Sequence, residues 1–286
     1  MTFLQSTGRS SRPVRFAVCA IAASFSSLLI NLGVAAEVAE HPSITALHES
    51  SGFSGITLIY DDEADQWISG SADAGQSVTA ETSALPASTF KIFSTMTALQ
   101  AGVAEGPDTL LRWDGTVRSR PETNRDMTLR EAFAISAVPH YQQMVQSVGG
   151  TRMQAMLDAA EYGNQNMSGG LTTFWLSGEL RISPLQQIEL LQRLRHNDLP
   201  FQSEVMAATR DIMRMEQTAD YALYAKTGLT TADDGGYVGW YVGWVEQEND
   251  TWYFATLLRS TGEDDTLIPA RIDITRRALQ SVGALP

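Results

Sequence analysis

Cysteine and lysine are both scarce in this 286-residue sequence. The single cysteine, Cys19, lies within the first 36 residues, so a chain that loses them has neither a disulfide nor a thiol nucleophile. Lysine occurs only as Lys91 and Lys226, beside 18 arginines. Because a buried lysine can lose its proton and an arginine cannot, the two lysines are candidates for chemistry that requires a neutral amine.

Several familiar catalytic patterns are also missing. The histidines form no His-Glu-x-x-His or other metal-ligand pattern, and Gly-x-Ser-x-Gly and glycine-rich phosphate loops are absent. The formal net charge of −13 argues against a nucleic-acid partner, which requires a basic surface. We therefore expect no metal site and no nucleic-acid partner.

The first 36 residues have the pattern of a secretory signal peptide. Arg9, Arg12 and Arg15 precede an apolar run from Phe16 to Gly33, and small residues close it at Ala36. The alternative is an uncleaved membrane anchor, although the serines in the run make it a poor membrane span. We expect cleavage near Ala36, export to the periplasm, a formal charge of −16 once the three arginines are removed, and no membrane association afterwards.

Hydrophobic periodicity predicts strands near both ends of the remaining chain and helices between them. The predicted strands are 55–60, 67–69, 221–227, 237–246 and 252–259, and the predicted helices are 88–100, one from Ser183-Pro184 to Leu194, 202–215 and 268–280. This order predicts an α+β fold, in which an antiparallel sheet flanked by helices carries an inserted all-helical subdomain at about 105–215. Residues 37–286 would form a single catalytic domain.

Both lysines lie in short motifs that suggest nucleophilic catalysis. Ser88-Thr89-Phe90-Lys91 places a serine and a lysine one helical turn apart, on one face, where the lysine can reach the hydroxyl. Lysine is a poor base at its ordinary pKa, so this arrangement requires an apolar setting that lowers the pKa of Lys91. Lys226-Thr227-Gly228 is a rarer pattern, and the two motifs together are much more specific than either alone.

Ser-x-x-Lys followed by Lys-Thr-Gly resembles the signature of serine β-lactamases and penicillin-binding proteins. Further segments are similar to class D, the oxacillinase-type enzymes: Ser136-Ala137-Val138, Tyr162-Gly163-Asn164, Phe174-Trp175-Leu176, and Gly239–Glu246. The resemblance covers residues from about 52 to the C-terminus. It implies hydrolysis of penicillin-type β-lactams, a small-molecule substrate, and antibiotic resistance.

The resemblance also implies a role for each matching residue. Ser88 would be the nucleophile, and Lys91 would carry a carbamate formed from carbon dioxide or bicarbonate and act as general base, with no other cofactor. Ser136 and Lys226 would deliver a proton to the leaving nitrogen. Trp175 would donate a hydrogen bond to the carbamate, and Val138 would keep its pocket apolar. Thr227, Gly228, Leu229 and Arg271 would bind the substrate, and the backbone N–H groups of Ser88 and Leu229 would form the oxyanion hole.

Simpler interpretations of these residues remain open from the sequence. Trp175 could belong to a hydrophobic core, and Tyr162-Gly163-Asn164 could form a turn. Arg271 could lie on a solvated helix face, and Ser136 could end a helix. His140 could be a structural histidine. Leu229 departs from the aromatic residue often found after Lys-Thr-Gly, which leaves the substrate profile open. A β-lactam sensor domain or a cell-wall transpeptidase or carboxypeptidase would carry the same motifs, and the chain would be a monomer or a homodimer.

Overall fold

The computed structural model describes residues 38–232 and 234–286. The predicted signal peptide and Cys19 lie outside the described residues. The described residues belong to one compact unit, Glu37–Pro286. Within them, no helix is long and apolar enough to cross a membrane.

Seven strands form one sheet in the order β1-β3-β2-β9-β8-β7-β6. In chain order the strands are β1 (Val38–Glu40), β2 (Ser54–Asp61), β3 (Gln66–Ala72), β4 (Leu110–Leu111), β5 (Met127–Thr128), β6 (Arg214–Gln217), β7 (Ala222–Thr231), β8 (Tyr237–Glu246) and β9 (Thr251–Arg259), with β4 and β5 in a separate pair. Neighbouring strands of the large sheet are antiparallel except β1, which runs parallel to β3. The prediction of an antiparallel sheet therefore needs one correction, at its edge.

Eight α-helices surround this sheet in the described part of the chain. They are α1 (Pro42–Ser51), α2 (Phe90–Gln100), α3 (Leu129–Ala134), α4 (Val138–Val148), α5 (Gly150–Ala160), α6 (Pro184–His196), α7 (Ser203–Met213) and α8 (Leu267–Ser281). The predicted start of α6 is confirmed, because Ser183 caps it in a capping box with Gln186 and Pro184 occupies the first turn. Helix α7 ends two residues earlier than predicted, since the chain enters β6 at Arg214.

The inserted region is not all-helical. The short strands β4 and β5 pair within it through Leu110–Thr128 and Leu111–Met127. Strands of two residues are too short for alternating hydrophobicity to reveal them. The same region also extends into β6, which pairs with β7 at the edge of the main sheet.

Alternation along the strands creates two cores, one on each face of the sheet. On β8, Trp240, Val242 and Trp244 belong to the larger core, shared with the inserted helices, whereas Tyr241 and Val245 belong to the core shared with α1 and α8. The nucleophile segment and Lys226 lie on the side of the larger core. The fold thus places the candidate site where the inserted helices meet the sheet.

A buried chain of hydrogen bonds crosses the sheet beneath α8. His48 Nε2 lies 2.9 Å from Thr57 Oγ1, which lies 2.9 Å from Thr256 Oγ1, and Thr275 Oγ1 is 2.6 Å from Thr256 Oγ1. His48 Nδ1 has no partner among the described residues, so the contact with Thr57 is the one hydrogen bond of this ring there. Burial lowers the pKa of His48 to about 4, which keeps the ring neutral near pH 7.

We expect Thr256→Val to lower the free energy of unfolding by about 1–3 kcal/mol, because it removes two buried hydrogen bonds, those of the Thr256 hydroxyl with Thr57 and Thr275. Thr97→Val is the matched control, since the buried Thr97 hydroxyl bonds only to the Phe93 carbonyl of its own helix. Urea unfolding of both variants measures the difference. Equal losses of stability would contradict a cooperative role for the chain.

Candidate active site

The nucleophile segment is a 3₁₀ turn, Ala87–Thr89, that runs directly into α2. Ala87 has a φ of 50°, a left-handed conformation that costs an alanine energy and is typical of functional turns. The surrounding structure holds it there: the Ala87 N–H donates to the Trp175 carbonyl at 3.0 Å, and Trp240 Nε1 donates to the Leu85 carbonyl at 2.8 Å. Ser88 is therefore fixed at the start of the helix.

Lys91 lies one turn later and reaches Ser88, as the spacing predicts. Its Nζ is 2.9 Å from Ser88 Oγ, and the side chain is 1% exposed. The amine also lies 5.0 Å from the centre of the Tyr141 ring. Burial, with a smaller contribution from the positive charge of Arg120, lowers the pKa of Lys91 to about 7. An ordinary lysine is neutral in roughly one molecule in a few thousand at pH 7, whereas this one is neutral in about half.

Ser136 and Lys226 form a second serine–lysine pair. Ser136 follows α3 with a φ of 55°, and its Oγ accepts a hydrogen bond from Lys226 Nζ at 2.5 Å. Lys226 projects from β7 and also donates to the Thr227 carbonyl at 3.1 Å. The two residues are 90 positions apart in the chain, and only the docking of the inserted region onto β7 brings them together.

The pKa of Lys226 is lowered well below its ordinary value. Burial is the main cause, and the positive charges of Lys91, Arg271 and Arg120 add to it. No carboxylate contributes to the pKa of either lysine. The site therefore holds two buried basic amines without an acidic partner among the groups that act on them.

Gly228 and Arg271 connect β7 to α8. An added Cβ at Gly228 would meet the Pro86 carbonyl oxygen at 3.0 Å, so a larger residue here would push β7 and the nucleophile segment apart by a few tenths of an ångström. Arg271 donates from Nη1 to the Gly228 carbonyl. Arg271 is 7% exposed, and burial lowers its pKa to about 10, so the alternative of a solvated helix face is wrong.

Alternation along β7 separates the Lys-Thr-Gly residues into two sets. Lys226 faces the inserted helices, and Thr227 and Leu229 face the α8 side. Leu229 is half-buried against a small core that includes Leu267 of α8. Thr227, Leu229 and Arg271 thus belong to one side of the site, and the two serine–lysine pairs to the other.

Trp175 is buried, with 1% exposure, and its ring stacks on Phe90 at 5.4 Å between centroids. Its Nε1 is a buried donor without a partner among the described residues. A buried donor without a partner is costly, so this N–H is a candidate to bond with a water, an ion or another group in the site. Val138 is half-buried at the start of α4, two residues after Ser136.

Three residues that act on the site belong to no recognisable sequence motif. Gln187 of α6 donates to Thr89 Oγ1 at 2.8 Å, and Tyr141 of α4 shares a 2.8 Å hydrogen bond with Thr95 while its ring faces Lys91. Arg120 acts on both lysines through its charge. Buried glutamine and tyrosine at single positions form no motif, so sequence reasoning could not identify them.

The other predicted features fall outside the catalytic cluster. Tyr162-Gly163-Asn164 forms a turn, with Gly163 at a φ of 51° against the Arg181 carbonyl and Asn164 bonded to Arg181 and Glu179. His140 Nε2 bonds to the Arg125 carbonyl at 3.0 Å, in keeping with a structural role. A cavity of about 630 Å³ opens beside Tyr162 and α6, but none of the catalytic candidates lines it.

Comparison with known proteins identifies the family of this chain. Residues 56–279 match the penicillin binding protein transpeptidase domain. Beta-lactamase OXA-10 of Pseudomonas aeruginosa is 38% identical over 204 residues, which is 70% of this chain and 76% of that protein. Beta-lactamase OXA-48 of Klebsiella pneumoniae is 38% identical over 202 residues, 71% of this chain and 75% of that protein.

Solved structures show the same relationship. The class D β-lactamase YbXI from Nostoc superposes with a TM-score of 0.77 at 37% identity and covers 85% of this chain and 99% of its own. FUS-1 (OXA-85), a class D β-lactamase from Fusobacterium nucleatum, superposes with a TM-score of 0.80 at 31% identity. The match covers 86% of this chain and 100% of that protein's chain. The chain therefore belongs to the penicillin-binding protein transpeptidase family and, within it, to the class D serine β-lactamases.

Proposed function

We propose that this enzyme hydrolyses the amide bond of penicillin-type β-lactams through an acyl-enzyme on Ser88, with Lys91 as the source of the general base. The β-lactamase relatives support β-lactam hydrolysis and antibiotic resistance. One observation carries the finer proposal: a buried lysine amine with a pKa of about 7 lies 2.9 Å from a serine hydroxyl. Serine requires such an adjacent base to become a nucleophile.

In acylation, Ser88 Oγ attacks the β-lactam carbonyl carbon and gives up its proton toward Lys91. The ring C–N bond then breaks, and its nitrogen takes a proton from Ser136 Oγ. Lys226 Nζ, 2.5 Å from Ser136 Oγ, replaces that proton. Before deacylation, the proton held by the Lys91 base returns to Lys226. Water then attacks the ester carbonyl and gives a proton to the Lys91 base, which passes it to Ser88 Oγ as the penicilloic acid leaves.

The residues around Lys91 fit a carbamate on its amine. The amine must be neutral to react with carbon dioxide, which a pKa of about 7 permits, and the buried Trp175 N–H is a free donor suited to an anion. A carbamate on Lys91 would supply an anionic oxygen that accepts a proton at neutral pH, and its negative charge would raise the pKa of the neighbouring Lys226. Val138 and Tyr141 keep this end of the site apolar.

Substrate binding is assigned to the β7–α8 side. Thr227 and Arg271 hold the carboxylate common to β-lactams, for which a guanidinium is well shaped. The Ser88 N–H lies in the first turn of the helix, where backbone donors have no intrahelical acceptor. With the Leu229 N–H it forms the oxyanion hole, in which one donor contributes about 2.7–4 kcal/mol to catalysis.

The remaining assignments follow from the sequence. Residues 1–36 act as a signal peptide for export to the periplasm, residues 37–286 form a single catalytic domain, and the enzyme acts without a metal as a monomer or homodimer. The N-terminal residue of the exported protein, read by mass spectrometry, tests cleavage near Ala36.

Counting product molecules per enzyme separates the proposal from its two alternatives. We expect a β-lactam in large excess to be hydrolysed for many turnovers, because Lys91 remains available to activate water for deacylation. Product that stops at one equivalent would instead identify a β-lactam sensor domain or a penicillin-binding transpeptidase, both of which retain the acyl group. The assay uses stopped time points at several enzyme concentrations.

A further inference from the structure

Arg120 is a cationic side chain whose guanidinium is held next to Ser136. It immediately precedes the 3₁₀ turn Pro121–Thr123. Its Nη2 donates to the Ile135 carbonyl at 3.0 Å, and Ile135 is the residue before Ser136. The Arg120 side chain is 52% exposed, so the guanidinium stays accessible from solvent while its position relative to Ser136 is fixed.

A cavity of about 240 Å³ opens at this rim and is lined by Arg118, Arg120, Thr123, Val138 and Gln142, among others. Val138, which lies two residues after Ser136 in the chain, contributes to its lining. Its two arginines differ in their partners. Arg118 is held by both carboxylate oxygens of Asp114, at 2.9 and 2.7 Å.

Arg120 is engaged less completely than Arg118. It shares a single carboxylate oxygen of Glu122, 2.9 Å from Nε, and among the described residues its Nη1 has no hydrogen-bond acceptor. The Glu122 side chain is 48% exposed, and such exposed ion pairs contribute only about 0–1 kcal/mol. A ligand carboxylate can therefore bind Arg120 without breaking a strong interaction.

The surroundings favour an anion at this place. Arg120 and Arg271 place two guanidinium groups close enough to act on the pKa of Lys226, in a protein whose formal net charge is −13. The carboxylate common to β-lactams is assigned to Thr227 and Arg271, on the α8 side of β7. Arg120 lies on the Ser136 side, which leaves it for a different anionic group of the substrate.

We propose that Arg120 is a specificity-determining residue that binds a second carboxylate, carried on the acylamino side chain of the β-lactam. The guanidinium would form a charge-assisted hydrogen bond with this carboxylate at the rim of the site. This inference rests on the proposed function. It predicts a preference for dianionic penicillins over otherwise identical monoanionic ones.

Carbenicillin, benzylpenicillin and ampicillin provide the test, because they differ only in the group on the side-chain α carbon: carboxylate, hydrogen or ammonium. We expect Arg120→Gln to lower the carbenicillin-to-benzylpenicillin ratio of kcat/KM about three- to tenfold. The ampicillin-to-benzylpenicillin ratio should stay the same or rise. The difference should shrink in 0.5 M salt, where screening weakens an exposed charge contact.

Arg112→Gln is the matched control, since it removes the same charge from an arginine that is 75% exposed and outside the cavity. A ratio that is unchanged in Arg120→Gln, or changed equally in Arg112→Gln, would overturn the inference. An equal loss for all three penicillins would also overturn it, because the effect would then be general. Failure of the wild-type enzyme to turn over benzylpenicillin would instead refute the proposed function.

Discussion

Lys91→Met is expected to reduce steady turnover of a chromogenic cephalosporin by about 10²–10⁴, the usual contribution of a general base. Methionine fills a similar volume without an amine, so Ser88 loses the only nitrogen within hydrogen-bonding distance of its hydroxyl in the described structure. Lys91→Arg should lose activity as well, because an arginine keeps the charge and cannot be deprotonated. Product is expected to stop near one equivalent in any variant that still acylates slowly.

Unfolding measurements separate loss of chemistry from loss of fold in these variants. A lysine whose pKa is lowered in the folded state destabilises the protein increasingly as pH falls from about 10 toward 7. Removing it should leave Lys91→Met at least as stable as the wild type at pH 7. Thr97→Val on the same helix should keep full activity. Turnover by Lys91→Met within tenfold of the wild type would contradict the assignment of Lys91.

Activity is expected to fall as pH decreases from 8 to 6 and to recover when bicarbonate is added. Only the neutral Lys91 amine reacts with carbon dioxide, and with a pKa of about 7 its neutral fraction drops from roughly 90% to roughly 10% across this range. Added bicarbonate restores the modified form by mass action. Rate measurements at fixed pH with increasing bicarbonate test this directly.

Trp175→Phe tests whether the Trp175 N–H stabilises a carbamate on Lys91. It removes the orphan N–H and keeps an aromatic ring against Phe90, so we expect at least tenfold lower activity in ambient air and substantial recovery with bicarbonate. Trp252→Phe is the matched control, because Trp252 Nε1 is also a buried donor without a partner in the described residues but lies on β9. Indifference of the wild type and of Trp175→Phe to bicarbonate would count against a carbamate.

The two lysine motifs were enough to predict most of the candidate catalytic residues from the sequence. Spacing along one helix placed Lys91 beside Ser88, since that contact is local. The contact of Ser136 with Lys226 spans 90 residues, and only the family resemblance suggested it. The burial of Arg271 could not be predicted, because it depends on how α8 packs against β7 and not on its own helix pattern.

In the sheet, too, elements with a clear local sequence pattern were predicted, and elements that depend on contacts with distant residues were missed. Strand β8 was predicted with its observed bounds, because its hydrophobic residues are continuous and turn residues flank it. Helix α1 and strand β1 were missed, and β1 pairs in parallel with β3 through three residues whose sequence shows no alternation. The role of Arg120 was missed for a related reason: its position is set by a contact with Ile135, 15 residues away.

Mass spectrometry during turnover tests the central claim most directly. Quenching the reaction of the wild type and of Lys91→Met with a penicillin should give protein whose mass is increased by one substrate, transient in the wild type and persistent in the variant. Peptide mapping should place the added mass on Ser88. Turnover without any covalent species, or an added mass on a residue other than Ser88, would contradict the account.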